Sequence, residues 1–380
     1  MNNVSGSPGQ DIAGQTRFRA PGRVNIIGEH TDYNDGLVLP TTMALYTTVD
    51  ASRRPDRIVQ ANSRNVQDTQ SFDLDKLEPA RNPDWIDYVK GVAAELQAAG
   101  IELQGANLEI SSDIPLGGGL SSSASLELAI ATALLSINSA TLQDTEVAKL
   151  CRRAENRYAG VNCGIMDQYV IACCDSNMAM LLDCRDLAVD HVAIPDSMRL
   201  LITDSGVKHR LPDSGYNTRS DECAEAVKLL AENEPQIAAL RDLTLAMLET
   251  QKERLGDLLF RRCRHVVTEN QRVRDAFASL QSGDIGNLGK LISASHASLR
   301  DDFEVSCDEV DQLVTIADAS TGVLGSRMVG AGFGGCVLSL VESDRIDQAA
   351  RQIRQRYKDV VGSEPWTHIV RPADPAGPYD

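Results

Sequence analysis

No stretch of about 18 or more apolar residues occurs anywhere in this 380-residue chain, so no helix of it is expected to span a membrane. Cysteines at CxxC spacing are also missing. The nine present, Cys151, Cys163, Cys173, Cys174, Cys184, Cys223, Cys263, Cys307 and Cys336, are odd in number and scattered. That argues against zinc sites and against a disulfide framework, and a reducing cytoplasm is expected. An excess of positive charge is lacking too. With 37 Lys and Arg against 54 Asp and Glu, the formal net charge is −17, which speaks against nonspecific binding to nucleic acid or to an anionic membrane. Residues 1–15 have neither the basic start nor the apolar stretch of a signal peptide. They are rich in Ser, Gly, Asn and Gln, and a disordered tail is expected there. No internal repeat is found.

The chain is long for one hydrophobic core, and two domains are expected. Strands and helices occur in both halves without regular alternation, which suggests an α+β protein. Residues 18–27 read as a strand interrupted at Pro21-Gly22, and 37–49 as one or two more. Ile86, Val89, Val92, Ala93 and Leu96 share one face of a helix predicted over 85–99. Leu108, Ile110 and Ile114 alternate with polar residues, as in a half-buried strand. Helices are predicted from about 126, over 145–158, 221–231, 240–266 and 344–357. Buried strands are predicted over 198–203 and 336–341. A domain boundary is expected within 183–197, giving domains over 16–190 and 191–380.

Between the strand ending near Ile114 and the next helix stands Pro115-Leu116-Gly117-Gly118-Gly119-Leu120-Ser121-Ser122-Ser123-Ala124-Ser125. Glycines let backbone N–H groups close around phosphate oxygens. The helix start adds unsatisfied donors and the positive end of a dipole, worth about 0.3–1 kcal/mol to an anion. Serine hydroxyls can donate to phosphate or ligate magnesium. The same sequence also fits a flexible turn with a serine cap. No Gly-Lys-Ser/Thr closes it, so it is not a Walker A loop.

A second glycine cluster, Gly330-Ala331-Gly332-Phe333-Gly334-Gly335-Cys336-Val337, matches GxGxxG. A dinucleotide fingerprint must open a helix, and a strand follows here. The protein-kinase reading needs HRD and DFG, and neither occurs. What remains is a tight turn between strands or a ligand-facing loop.

Glu29, His30 and Asp32 crowd the end of an apolar strand in Arg23-Val24-Asn25-Ile26-Ile27-Gly28-Glu29-His30-Thr31-Asp32-Tyr33-Asn34. Such density of donors and acceptors suits sugar hydroxyls, which both donate and accept. A solvated turn or a metal site would use the same residue types. Asp167 stands in the apolar stretch Cys163-Gly164-Ile165-Met166-Asp167-Gln168. A buried carboxylate there is either used, as a general base for example, or serves as a helix cap. Glu155 on the preceding helix is a candidate metal ligand or an ordinary solvated residue.

Taken together these segments resemble the GHMP kinases, and within them the galactokinases. Residues 22–34 are similar to the galactokinase signature, 116–125 to the GHMP phosphate loop, and 327–336 to the third block of the family. Residues 163–168 and Tyr216-Asn217-Thr218-Arg219 add to the resemblance, which runs from about 17 to 341. It implies a two-domain GHMP kinase fold with the active site in the interdomain cleft, and a cytoplasmic monomer. It implies transfer of the γ-phosphoryl group of ATP to the C1 hydroxyl of α-D-galactose. Glu29, His30, Asp32, Gly164, Asp167 and Tyr216 would bind the sugar, with Asp167 as base and Arg23 beside it as the second catalytic residue. Gly117, Gly118, Gly119, Leu120, Ser121, Ser122 and Ser123 would hold the ATP phosphates. Ser123 and Glu155 would coordinate Mg²⁺, and Trp85 would lie on the adenine side. Two other readings stand beside this one: a GHMP kinase for a related acceptor such as N-acetylgalactosamine, arabinose or mevalonate, and a non-catalytic sensor of galactose and ATP. The intact serine run and the presence of Asp167 speak against the sensor.

Overall fold

A computed structural model describes residues 16–207 and 212–379 of the chain, with the side chains of 212–214 excepted. The tail expected over 1–15 lies outside them. The chain opens with β1 (Thr16–Asn25), β2 (Leu37–Val38), β3 (Pro40–Arg53), β4 (Ile58–Ser63) and β5 (Asp68–Asp73). Helix α1 (Trp85–Ala98), β6 (Ala106–Ser112) and helices α2 (Ser122–Ile137), α3 (Asp144–Ala154) and α4 (Met166–Cys173) follow, then β7 (Met178–Asp183) and β8 (Val189–Ala193). The first sheet runs β13-β1-β3-β6-β4-β5, where β13 (Gly377–Pro378) comes from the end of the chain. Only β4 and β6 pair in parallel; the other neighbours are antiparallel.

The β1–β3 ladder shifts register between Pro21 and Gly22, where Pro21 has no N–H to contribute. A Cβ on Gly22 would come within 3.2 Å of the Leu120 carbonyl oxygen. The irregularity thus lets β1 lie against the glycine–serine loop and aims Arg23 toward it. Helix α1 starts at Asp84, whose side chain accepts from the Trp85 N–H while its own N–H donates to Asp87. Helix α2 has no polar face. Ala124, Leu128, Ile130, Ala131, Leu134 and Leu135 are all buried, because the helix runs between the sheet and α1, α3 and α4.

The later half contains β9 (Met198–Asp204), α5 (Pro212–Ala231), α6 (Leu245–Thr250), α7 (Lys252–Ser282), α8 (Ile285–Asp301), α9 (Asp308–Asp318), β10 (Val323–Met328), β11 (Cys336–Glu342), α10 (Ile346–Val361) and β12 (Thr367–Ile369). Its sheet is antiparallel in the order β10-β11-β9-β12. A third sheet, β2-β7-β8, occupies much of the expected boundary region, since β8 falls within 183–197. One apolar cluster lies under the first sheet and another in the later half. A third joins them, bringing Val24, Ile26 and Leu120 together with Ile202, Val273 and Leu338. The two halves therefore share packed apolar material beneath the cleft.

Most predicted elements form. The helix expected over 240–266 differs: Leu240–Asp242 form a 3-10 turn, α6 and α7 meet at Gln251, α7 is kinked internally at Gly256 (φ +66°), and it continues to Ser282. Gly283 ends it in the left-handed conformation. All nine cysteines are free thiols. Among the described residues no helix is long and apolar enough to cross a membrane.

Candidate active site

A cavity of about 250 Å³ is lined by residues from both halves. Its centre is Asp167, in the first turn of α4; Ile165 holds the cap position, so Asp167 is not a cap. The Arg23 guanidinium grips this carboxylate with two parallel bonds, Nε to Oδ1 and Nη2 to Oδ2, both 2.7 Å. Its third nitrogen donates to the Gly119 carbonyl at 2.6 Å. Burial works against the Arg23 charge, but Asp167 and Glu29 outweigh it and raise the guanidinium's pKa. The Ser121 hydroxyl also donates to Asp167. One arginine thus fixes the acid relative to the glycine loop, in the planar fork geometry that lysine lacks.

The glycine loop lies on one side. Gly117 and Gly119 have φ +74°, and Ser121 φ +60°. No side chain caps the start of α2, so its first N–H groups stay available to an anion. The serine run divides in function. Ser121, Ser122 and Ser123 line the cavity, whereas Ser125 is buried and donates to the Ala20 carbonyl at 2.8 Å. The loop packs on the second glycine cluster: a Cβ on Gly119 would meet the Val329 carbonyl oxygen at 2.5 Å, and one on Gly330 would meet the Gly119 Cα at 2.5 Å. Gly330, Ala331, Gly332, Gly334 and Gly335 line the cavity as well. The cluster read from sequence as either a turn or a ligand-facing loop is thus both a turn and a wall of the site.

Glu155, Gln168 and Glu127 form a buried group beside Ser123. A single π turn, Glu155–Ala159, follows α3, a local rewinding common at functional sites. The Gln168 amide donates to Glu155 at 2.6 Å and to Glu127 at 3.1 Å. Burial first, then the charge of Asp167, raises the pKa of Glu155. Burial and Glu155 push Glu127 well above the usual carboxylate range. Among the described residues no three His, Cys, Asp or Glu side chains form a metal-holding group. The alternative of a Glu29–His30–Asp32 metal centre therefore has no coordination shell. Ser123 and Glu155 suit a cation that takes one or two protein oxygens and completes its shell with phosphate and water, as Mg²⁺ does.

The 28–37 loop forms the other side. Asp32 sits against Gly164 so closely that a Cβ there would be 2.2 Å from its Oδ2. Its carboxyl is pushed up to about 7 by burial, then by Asp167 and Glu29. His30 (φ +63°) shares a 2.8 Å hydrogen bond with the Tyr33 hydroxyl. Burial, then neighbouring His265, lowers His30 to about 3, so the ring is neutral. Tyr216 packs on both rings, 5.5 Å from His30 and 5.3 Å from Tyr33 between centroids. Glu29 is held more tightly than its sequence position suggested. It accepts from Asn25 at 2.8 Å, from the Gly330 N–H at 2.9 Å and from buried Arg327 at 3.2 Å.

The structure thus gathers the candidate site residues around one cavity, except that Gly118 and Trp85 fall outside its immediate lining. Gly118 lies one step behind, near the Cys336 sulfur. Trp85 is not in the lining; its indole N–H donates to Asp68 at 2.9 Å. Tyr88, one turn further along α1, does line it, as do Val161, Cys163 and Met166. Sequence reasoning missed Tyr88, although it lies in the same helix as Trp85.

Three family descriptions match the chain: GHMP kinases N terminal domain over residues 87–175, galactokinase galactose-binding signature over 10–53, and GHMP kinases C terminal over 276–359. A galactokinase of Roseiflexus sp. (strain RS-1) is 43% identical over 359 residues, covering 94% of this chain and 92% of the relative. A crystal structure of Lactococcus lactis galactokinase complexed with galactose superposes with a TM-score of 0.93 at 36% identity, covering 97% of this chain and 96% of that one. The Methanococcus jannaschii mevalonate kinase shares the fold at 18% identity and a TM-score of 0.67, over 96% of this chain and 100% of that one.

Proposed function

This chain belongs to the galactokinases of the GHMP kinase family, and from that premise we propose how the residues of its cleft divide the reaction. The activity is that of an ATP-dependent sugar kinase: the γ-phosphoryl group of ATP passes to galactose, giving galactose 1-phosphate and ADP. Such transfer has little covalent chemistry for a protein to perform, so positioning and charge stabilisation dominate.

The observation that carries the assignment is the Arg23–Asp167 pair, set between the glycine loop and the 28–37 loop. Asp167 takes the proton of the sugar's C1 hydroxyl, and a positioned base contributes roughly 10²–10⁴-fold. Arg23 holds Asp167 in one orientation and offsets negative charge developing between the reacting oxygens. Glu29, His30, Asp32, Gly164 and Tyr216 form the sugar side. Neutral His30 offers Nε2 to a sugar hydroxyl, its Nδ1 being taken by Tyr33, and Asp32 against Gly164 supplies carboxyl oxygens. Residues 117–123 hold the triphosphate through backbone N–H groups and the uncapped start of α2. When bound, Mg²⁺ would neutralise phosphate charge; Ser123 and Glu155 would hold it. Tyr88, which lines the cavity, stands in for Trp85 as the candidate for the adenine side.

Asp167→Asn tests the assignment. Turnover is expected to fall by at least about 10²-fold while galactose still binds, as measured by ADP release and by calorimetric titration of the sugar. Near-normal turnover would remove Asp167 from the role of base.

A further inference from the structure

The 28–37 loop carries His30 and Asp32, yet much of what fixes it comes from a helix more than 200 residues away. His265, Glu269 and Val273 recur every four residues along α7, and Asn270 stands beside them. All four are buried. The Gly28 N–H donates to Glu269 Oε1 at 3.0 Å. The Glu29 carbonyl accepts from His265 Nε2 at 3.0 Å. The Leu37 N–H donates to Asn270 Oδ1 at 2.7 Å. These three backbone groups flank the sugar-facing residues at both ends of the loop.

Each clamping side chain is itself held. Glu269 also accepts from Ser295 at 2.6 Å and from Arg272 at 2.5 Å. Burial opposes its charge, but the Arg272 guanidinium, with the hydrogen bond from Ser295, outweighs that and holds its carboxyl down at about 2. Asn270 donates back to the Val266 carbonyl at 3.0 Å. A carbonyl accepts only, so His265 carries its proton on Nε2 and takes the Ser298 hydroxyl on Nδ1 at 2.9 Å. The loop is shaped to the helix in return. Gly28 has φ +108°, and a Cβ on it would be 2.9 Å from Val273 Cγ2. A Cβ on Gly36 would be 2.7 Å from Asn270 Oδ1. Thr31 closes the loop internally, its hydroxyl within 2.8 Å of the Gly28 carbonyl and 2.7 Å of the Leu37 carbonyl.

We propose that His265, Glu269 and Asn270 are positioning residues for sugar recognition: a three-point backbone clamp through which α7 sets the loop bearing His30 and Asp32. The clamp rests on the reading of that loop as the sugar side of the site. It touches neither the glycine loop nor the start of α2, so its loosening acts on the sugar and spares the nucleotide.

The test compares Asn270→Ala, which removes the acceptor for Leu37, with Asn270→Asp, which keeps it, in the full chain. Galactose and a non-hydrolysable ATP analogue are titrated separately by calorimetry, with KM for each substrate measured alongside. Leaving a buried N–H unmatched is expected to weaken galactose binding about ten- to a hundred-fold. Nucleotide affinity should stay within about two-fold, and Asn270→Asp, which keeps the acceptor for Leu37 but gives up the donor to the Val266 carbonyl, should recover part of the loss. If Asn270→Ala does not fold, the similarly sized Glu269→Leu, which removes the acceptor for the Gly28 N–H, carries the same expectation. Equal losses for sugar and nucleotide, or unchanged galactose affinity, would overturn the clamp. A wild-type chain that binds no galactose would instead overturn the sugar reading beneath it.

Discussion

Asp32 stands at the cavity wall with Asp167 and Glu29 nearby, and its carboxyl is pushed up to about 7, first by burial and then by those two charges. An unfolded aspartate titrates near 4. Between those values the folded chain holds a proton that the unfolded chain has released. Stability of the free protein therefore falls as pH rises through that window. The effect is up to about 4 kcal/mol if the whole displacement is realised. Asp32→Asn removes the titration, so the unliganded variant should melt at higher temperature than wild type at pH 8 and show little such advantage at pH 4. Galactose affinity should drop at the same time. Melting curves of the two proteins that run parallel across pH would contradict the account. The same reasoning explains what was legible at this scale. Glu29, His30 and Asp32 announced themselves by density in one short segment. The charge coupling of Asp32 to Asp167, 135 positions later, had no local signal, and neither did the tie of Glu29 to Arg327 and Gly330.

At the scale of elements, the glycine loop and the start of α2 form where their sequence indicated. A strand, three glycines, a serine run and an apolar helix are neighbours in the chain, so local physics suffices to read them. The partner on which the loop rests is not local. Gly119 meets Val329 and Gly330 across the cleft, and the second glycine cluster shows its purpose only once that contact exists. Gly119→Ala would add a Cβ at φ +74° and 2.5 Å from the Val329 carbonyl oxygen. The left-handed backbone alone costs about 1 kcal/mol or more. Nucleotide affinity should fall by about ten-fold or more while galactose affinity is retained, by separate titrations; retained nucleotide affinity would count against the loop's role. Helix α7 illustrates the opposite limit. Its apolar spacing was readable to Val266, but the stretch Thr268-Glu269-Asn270-Gln271 looks like a polar end. Glu269 and Asn270 are inside because the 28–37 loop lies on them and α8 packs beside Glu269.

At the scale of the whole molecule, α+β content and two halves were visible in the mixture of elements. The shared core and the returning end of the chain were not. β13 pairs with β1, Thr42 donates to the Ala373 carbonyl at 2.6 Å, and the Ala44 N–H donates to the Arg371 carbonyl at 2.8 Å. Pairings between the two ends of a chain leave no periodic trace in either segment. The cleft itself follows from this assembly: the later half supplies the 330–335 wall and backs the 28–37 loop with α7, and the first half supplies Arg23, Asp167 and the glycine loop. Acceptor choice is a property of the assembled cleft. Recognition of a hydroxyl by buried polar groups discriminates strongly against acceptors that leave those groups unmatched. The most direct test is a coupled ADP-release assay with MgATP across galactose, N-acetylgalactosamine, arabinose and mevalonate. Galactose is predicted to lead in kcat/KM by at least about a hundred-fold. Preference for another acceptor, or binding of both ligands without ADP release, would contradict the account.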